Sequence, residues 1–122
     1  MAAPVILSID AMSGDHGPSV TVDGAFLALQ ELPDLRLIVV GDEARLKPML
    51  VKRKSGLIDR VTIQHASETV AMDEQPSKAL RNKKDSSLRV AINLVKDGQA
   101  QAAVSAGNTG ALMATARFVL KK

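Results

Sequence analysis

Four short apolar runs, each followed by a turn signal and then by a stretch of helical period, leave this chain little choice of architecture. Residues 5–9, 35–40, Val61–His65 and Ala102–Ser105 read as strands. The first two are near-continuous apolar runs, as in strands buried on both faces, whereas VTIQH alternates and suits a sheet edge. Between the first pair, residues 19–32 carry Val20, Ala25, Phe26, Leu29 and Leu32 near helical spacing, and Pro33 stops them. Residues 43–54 place Leu46, Met49 and Leu50 inward, with Gly56 as a C-terminal stop. Pro76 opens a short helix through SKALRNKK. Ser87–Lys96 then aligns Leu88, Ala91, Ile92 and Val95 on one stripe, with Ser86 or Ser87 as cap and Gly98 as its end. Residues 66–75 show no period, and a last helix spans Thr109–Leu120.

Strands alternating with helices call for a parallel sheet with right-handed crossovers. The expected fold class is α/β: a Rossmann-like three-layer αβα sandwich with a mainly parallel sheet, here about four βα units. Residues 1–122 are expected to be a portion of one such domain. In the doubly wound order 3-2-1-4 the first and fourth strands are neighbours across the switch point. The loop after Asp10, AMSGDHGPS, would then lie beside the loop of residues 105–110, and a crevice lined by both is the default binding site.

The second of those loops, within VSAGNTGA, is the most specific stretch of the chain. Gly107 and Gly110 permit backbone angles closed to other residues, while Ser105, Asn108 and Thr109 bring short polar side chains. A strand, tight turn and helix of this kind leave free amide donors at a helix N-terminus, where an anion or a developing oxyanion can be held. Parallel α/β domains also need such turns for purely structural reasons. Asn108 is the chemical candidate of the group, because its amide donates and accepts, although Asn also tolerates left-handed backbone angles.

Several classes of function lack their signatures. The chain has no cysteine and only His16 and His65, so thiol chemistry and cysteine metal sites are excluded and no histidine pair has ligand spacing. With two aromatics, Phe26 and Phe118, and a net charge of +3, it has no platform for stacking bases, and nucleic acid is not an expected partner. No G-x-G-x-x-G fingerprint, P-loop or G-x-S-x-G elbow is present, so neither cofactor nor metal is expected, and Ser105 reads as a turn residue rather than a covalent nucleophile. No segment reaches membrane-spanning length and the N-terminus is not a signal peptide, which points to the cytoplasm. Asp10 and Asp15 are candidates for ligand orientation or acid–base work, with helix capping the plainer role for Asp15. His16 sits in a polar loop, and His65 at a strand end reads as structural. Arg81, Lys83, Lys84 and Arg89 are either a solvated helix face or a landing site for phosphate or an acidic protein.

Taken together, DAMSGDHGPS, ETVAMDEQPSKALRNKKDSS and VSAGNTGALMA resemble the bacterial phosphate acyltransferase family of phospholipid synthesis, in the family's order and spacing. Ser13 departs from the family's usual second glycine at that place, and the resemblance covers only the N-terminal part of family members. It implies transfer of a fatty acyl group from acyl carrier protein to inorganic phosphate, giving an acyl phosphate. It further implies a homodimer in the full-length protein, and peripheral contact with the inner face of the membrane through regions outside this chain. Asn108, Thr109 and the amides around Gly107 and Gly110 would hold phosphate or the carbonyl oxygen, with Ser105 beside them. Asp10, Met12, Gly14 and Asp15 would form the opposite wall, and Arg81, Lys83 and Lys84 would meet phosphate or the carrier protein. On this reading the 122 residues alone have weak or no activity. The competing expectations are a non-catalytic α/β module for a phosphorylated small molecule, and an inactive fragment that contributes only sheet and interface.

Overall fold

The computed structural model describes residues 4–14, 17–53 and 56–120. Strand β1 (Val5–Asp10) leads into α1 (Gly17–Glu31), β2 (Leu35–Gly41), α2 (Glu43–Val51), a 3-10 turn (Gly56–Arg60) and β3 (Val61–His65). Two consecutive helices follow, α3 (Pro76–Asn82) and α4 (Ser87–Lys96), then β4 (Ala102–Ser105) and α5 (Thr109–Leu120). The sheet is parallel throughout and its order is β3-β2-β1-β4, as the alternation predicts. Its chain reversal lies between β1 and β4, where the crossover passes from one face of the sheet to the other.

Period-two alternation divides the core. Leu7, Ile9, Leu35, Leu37 and Val39 face α1 and α2, where Phe26, Leu29, Leu46 and Leu50 fill the space. Ile6, Ile38 and Val40 face α4, against Ala91 and Leu94. A third cluster joins α3, α4 and α5 through Ala79, Leu88, Ile92, Ala111 and Val119, and it also takes in Val70 from the aperiodic stretch. Leu29, Leu37 and Leu46 are at most 1% exposed. Burial of each such side chain contributes roughly 1.5–3 kcal/mol, which is how short helices, marginal on their own, are held to this sheet.

Several expected details are corrected. The first helix starts at Gly17 rather than at residue 19, so Pro18 lies in its first turn, where a missing amide proton costs nothing. Its buried stripe is Pro18, Val22, Ala25, Phe26 and Leu29, while Val20 and Leu32 are exposed at 57% and 55%. Starting the helix two residues earlier rotates no residue, but it shows that the sheet-facing row is read from Val22, and Val20 falls off it. Helix α2 stops at Val51 rather than at 54, and Gly56 begins a 3-10 turn instead of merely ending the helix. Leu94 belongs to the buried face of α4, with Val95 only partly buried. Ser86 is the cap of that helix, its Oγ accepting from Arg89 N at 3.0 Å. Gly98, with φ of +81°, ends it.

Residues 66–75 have no period because polar contacts rather than an apolar stripe give them their shape. Glu68 forms a parallel bridge to Ser86, Ser67 donates its amide and hydroxyl to Asp85, and only Ala66 and Val70 of the stretch are buried in the core. We refer to this stretch as the strap. No helix among the described residues is long and apolar enough to cross a membrane.

Candidate functional site

The site grows from the last residue of β1. Alternation along that strand puts Asp10 on the same face as Ser8, whose hydroxyl donates to Ala91 O of α4 at 2.8 Å. Asp10 is 1% exposed, and a carboxylate withdrawn from water must be met by donors. Oδ1 accepts from Met12 N at 3.3 Å, and Oδ2 accepts from Ser105 Oγ at 2.9 Å and from Ser13 Oγ. Register supplies Ser105, which stands directly opposite Asp10 in the β1–β4 pairing. Ser105 Oγ in turn accepts from Gly107 N at 3.1 Å. Its proton is thus committed to Asp10 and its lone pair to the turn that follows.

The two loops touch along this line. A Cβ placed on Gly107 would stand 2.6 Å from Ser13 Cβ, and one on Gly14 would stand 3.4 Å from Ala106 Cβ. Gly14 also has a φ of +99°, which side-chain-bearing residues rarely adopt. The loops after β1 and β4 therefore form one surface, as the sheet order requires. Above them stands the N-terminus of α5. Ala111 N and Leu112 N bond back to Asn108 Oδ1 and O. The amides of Asn108, Thr109 and Gly110 have no partner among the described residues, nor has the exposed Thr109 hydroxyl. Free amides at the positive end of a helix can receive an anion.

Asn108, only 9% exposed, has a specific occupation. Its Nδ2 donates to Ala71 O at 3.2 Å and to Glu74 O at 2.7 Å, while its Oδ1 caps α5. Both amide protons therefore hold the strap against the helix start. Gly110 serves the same junction, since a Cβ there would meet Pro76 Cγ at 2.7 Å.

Other predicted site residues lie elsewhere. Met12 turns its side chain onto Gly41, where an added Cβ would meet Met12 Cγ at 2.5 Å, and so packs toward β2 rather than β4. Lys83 Nζ donates to Glu74 Oε1 and Thr69 O, each at 2.7 Å, so it braces the strap. Arg81 and Lys84 line a cavity with Phe118, near the far end of α5 from the two loops. Asp15 and His16 lie outside the described residues. His65 is structural, its Nδ1 accepting from Glu43 N at 3.1 Å. The sequence marks Ser13 only as a departure from the family's glycine, not as a site residue, and it does not single out Glu74. Ser13 offered a signal in its spacing of three from Asp10, the reach of a local side-chain bond; Glu74, in an aperiodic stretch, offered none. Among the described residues no group of three His, Asp or Glu side chains is placed to hold a metal.

With this geometry in hand, comparison with known proteins is informative. Residues 5–122 match the fatty acid synthesis protein family. The chain is 60% identical over 115 residues to a phosphate acyltransferase of Methylococcus capsulatus, covering 94% of this chain and 34% of that protein. It is 59% identical over 117 residues to one of Chromobacterium violaceum, covering 96% and 34%. For one of Halorhodospira halophila the identity is 55% over 121 residues, covering 99% and 35%. The chain thus spans about a third of the length of these curated relatives.

Two expectations follow from the site. Gly107→Ala forces a methyl into Ser13 and should cost about 1–3 kcal/mol in urea unfolding. Ser13→Gly in the same chain should return much of that loss, with a coupling of roughly 1 kcal/mol or more in the double-mutant cycle; simple additivity would mean the loops are not in contact. The second concerns acid. The Lys83 hydrogen bond holds the Glu74 carboxyl below its ordinary range, and the Ser67 hydroxyl, then its amide, does the same for Asp85. Folded values below unfolded ones mean stabilisation that is complete above the ordinary carboxylate range and lost as pH falls through the folded values. Hydrogen exchange, corrected for intrinsic rates, should report the strap loosening between about pH 6 and about pH 3, and less so in Lys83→Met. A strap equally protected across that interval would contradict the assignment.

Proposed function

Because the chain belongs to the fatty acid synthesis protein family, we propose that it forms the N-terminal part of an acyl-carrier-protein:phosphate acyltransferase. The observation that carries this reading is the joining of the β1 and β4 loops through Asp10, with the α5 amides open beside them. The name its relatives carry, phosphate acyltransferase, supplies the reaction class.

The residues suit that chemistry. A phosphate oxygen attacks the thioester carbonyl carbon, the carbon–oxygen bond forms and the carbon–sulfur bond breaks. Hydrogen phosphate gives up its proton to the departing thiolate, so the products are an acyl phosphate and a free thiol. Phosphate is itself the nucleophile, which agrees with a Ser105 whose hydroxyl is tied to Asp10. The protein has to hold two anionic partners in line and stabilise a tetrahedral oxyanion. We assign the anion to the amides of Asn108, Thr109 and Gly110 and to the Thr109 hydroxyl. Gly14 and Gly107 allow the close approach of backbone. Asp10, through Ser105 and Ser13, fixes the turn without touching the substrate. Asn108 is assigned to positioning in the closed strap, and it meets a substrate oxygen only if Ala71 and Glu74 release it.

A helix N-terminus offers about half an elementary charge, a weak hold on a dianion. The remaining positive charge is expected from the two-thirds of the relatives' length that this chain does not span. Hence the 122 residues are expected to bind phosphate weakly and to turn over acyl carrier protein thioester slowly or not at all. The deciding test is phosphate-dependent acyl phosphate formation by a full-length protein carrying this segment, with Asn108→Ala beside the parent. Misplacing the α5 turn should lower the rate about 100-fold. An unchanged rate would remove Asn108 from the mechanism, and acyl phosphate formation by the 122 residues at the full-length rate would remove the need for the rest.

A further inference from the structure

The far end of α5 carries a feature that the two-loop site does not use. Leu80, Arg81, Lys84, Arg89 and Phe118 line an open cavity of about 320 Å³. Phe118 is 58% exposed, an unusual position for one of only two aromatics in the chain. Arg89 stands over its ring at 5.3 Å from guanidinium carbon to centroid, and donates NH1 to Leu80 O at 3.0 Å. That cation is held in place by the fold rather than trailing in solvent. Arg81 and Lys84 are exposed beside it and form no ion pair among the described residues. The nearest carboxylates in sequence are engaged elsewhere, Asp85 by Ser67 and Glu74 by Lys83.

Three cations that form no ion pair among the described residues surround an apolar floor, one of them braced by an aromatic ring, and make a surface with a preferred partner. An aromatic and arginines converging on a pocket is the composition of protein-binding centres, and a like-signed rim steers a partner of opposite charge. A free phosphate would use the cations and leave Leu80 and Phe118 bare. We infer that this surface docks an acidic helix that inserts an apolar side chain against Phe118 and sets its carboxylates on Arg81, Lys84 and Arg89. On the acyltransferase reading, on which this rests, that helix belongs to the carrier protein that bears the thioester. Eight residues of α5 separate Phe118 from Gly110, about 12 Å at the rise of an α-helix. Such an offset suits a donor that delivers its thioester on a flexible arm: the body docks at one end of α5 and the reacting carbonyl arrives at the other.

The test titrates the 122-residue chain with unacylated holo-acyl carrier protein by fluorescence anisotropy at low and at physiological salt. Binding should weaken with salt, and should fall at least about tenfold in the double variant Arg81→Glu, Lys84→Glu. Phe118→Ala should weaken it as well, whereas Lys47→Glu, an exposed charge reversal on α2, should not. Thermal unfolding of each variant confirms that the fold is kept. Undetectable binding by the parent, or unchanged affinity in the double variant, overturns the proposal. So does preferential binding to anionic phosphatidylglycerol vesicles that the double variant abolishes while carrier affinity stays the same. Phosphate binding measured by calorimetry on the same samples separates the two levels. Phosphate uptake by the parent with carrier affinity unaltered by charge reversal sinks the docking surface alone; a parent that takes up neither phosphate nor carrier protein sinks the acyltransferase reading with it.

Discussion

A carboxylate at the end of a buried strand decides how this molecule is arranged. Asp10 has almost no contact with water, and leaving such a group unmatched would cost several kcal/mol. It is matched by hydroxyls from two directions, Ser13 in its own loop and Ser105 from the strand alongside, with Met12 N completing the set. Removing the carboxylate would leave those groups without a common acceptor. The tie is thus both a stabilising contact and a geometric one, since it sets the distance between the two loops. Ser105 passes the constraint onward to Gly107 N, and from there to the first turn of α5.

A second layer of polar contacts fixes the helix start from the other side. Asn108, Lys83 and Glu74 together pin the strap. The strap contributes little apolar area beyond Ala66 and Val70, so its order depends on these pairs. Segments held in this way open at lower free energy than the core. Asn108 belongs both to the pairs that hold the strap and to the cap of α5, so strap and helix start are tied through one side chain.

Much of this was legible in the sequence, and the reasons differ from residue to residue. Alternating strands and helices with apolar runs at residues 5–9 and 35–40 led to the parallel sheet and its order, because few topologies satisfy that pattern. The order then placed Asp10 beside Ser105 before any distance was known. What stayed hidden was set by contacts between residues far apart in the chain. Asn108 advertises a donor and an acceptor, but not that Ala71 and Glu74 take both protons. Lys83 and Lys84 are neighbours of the same type, yet one braces the strap and the other lies exposed beside Phe118. Lys83 is the C-cap of α3, in a non-helical conformation, and Lys84 lies in the turn beyond it, where periodicity says nothing about direction. Val20 was misjudged for a related reason: an apolar residue near the right spacing is not yet on the buried row.

The central proposal is that two loops from distant parts of the chain form one anion-binding surface. Backbone amide chemical shifts followed by NMR during a titration with inorganic phosphate test it most directly. The amides of Gly14 in the first loop and of Thr109 and Gly110 in the second should move together, along saturation curves that give a single dissociation constant. Movement confined to the second loop, or different constants for the two, would mean that the Asp10 tie joins the loops structurally without making them a shared site.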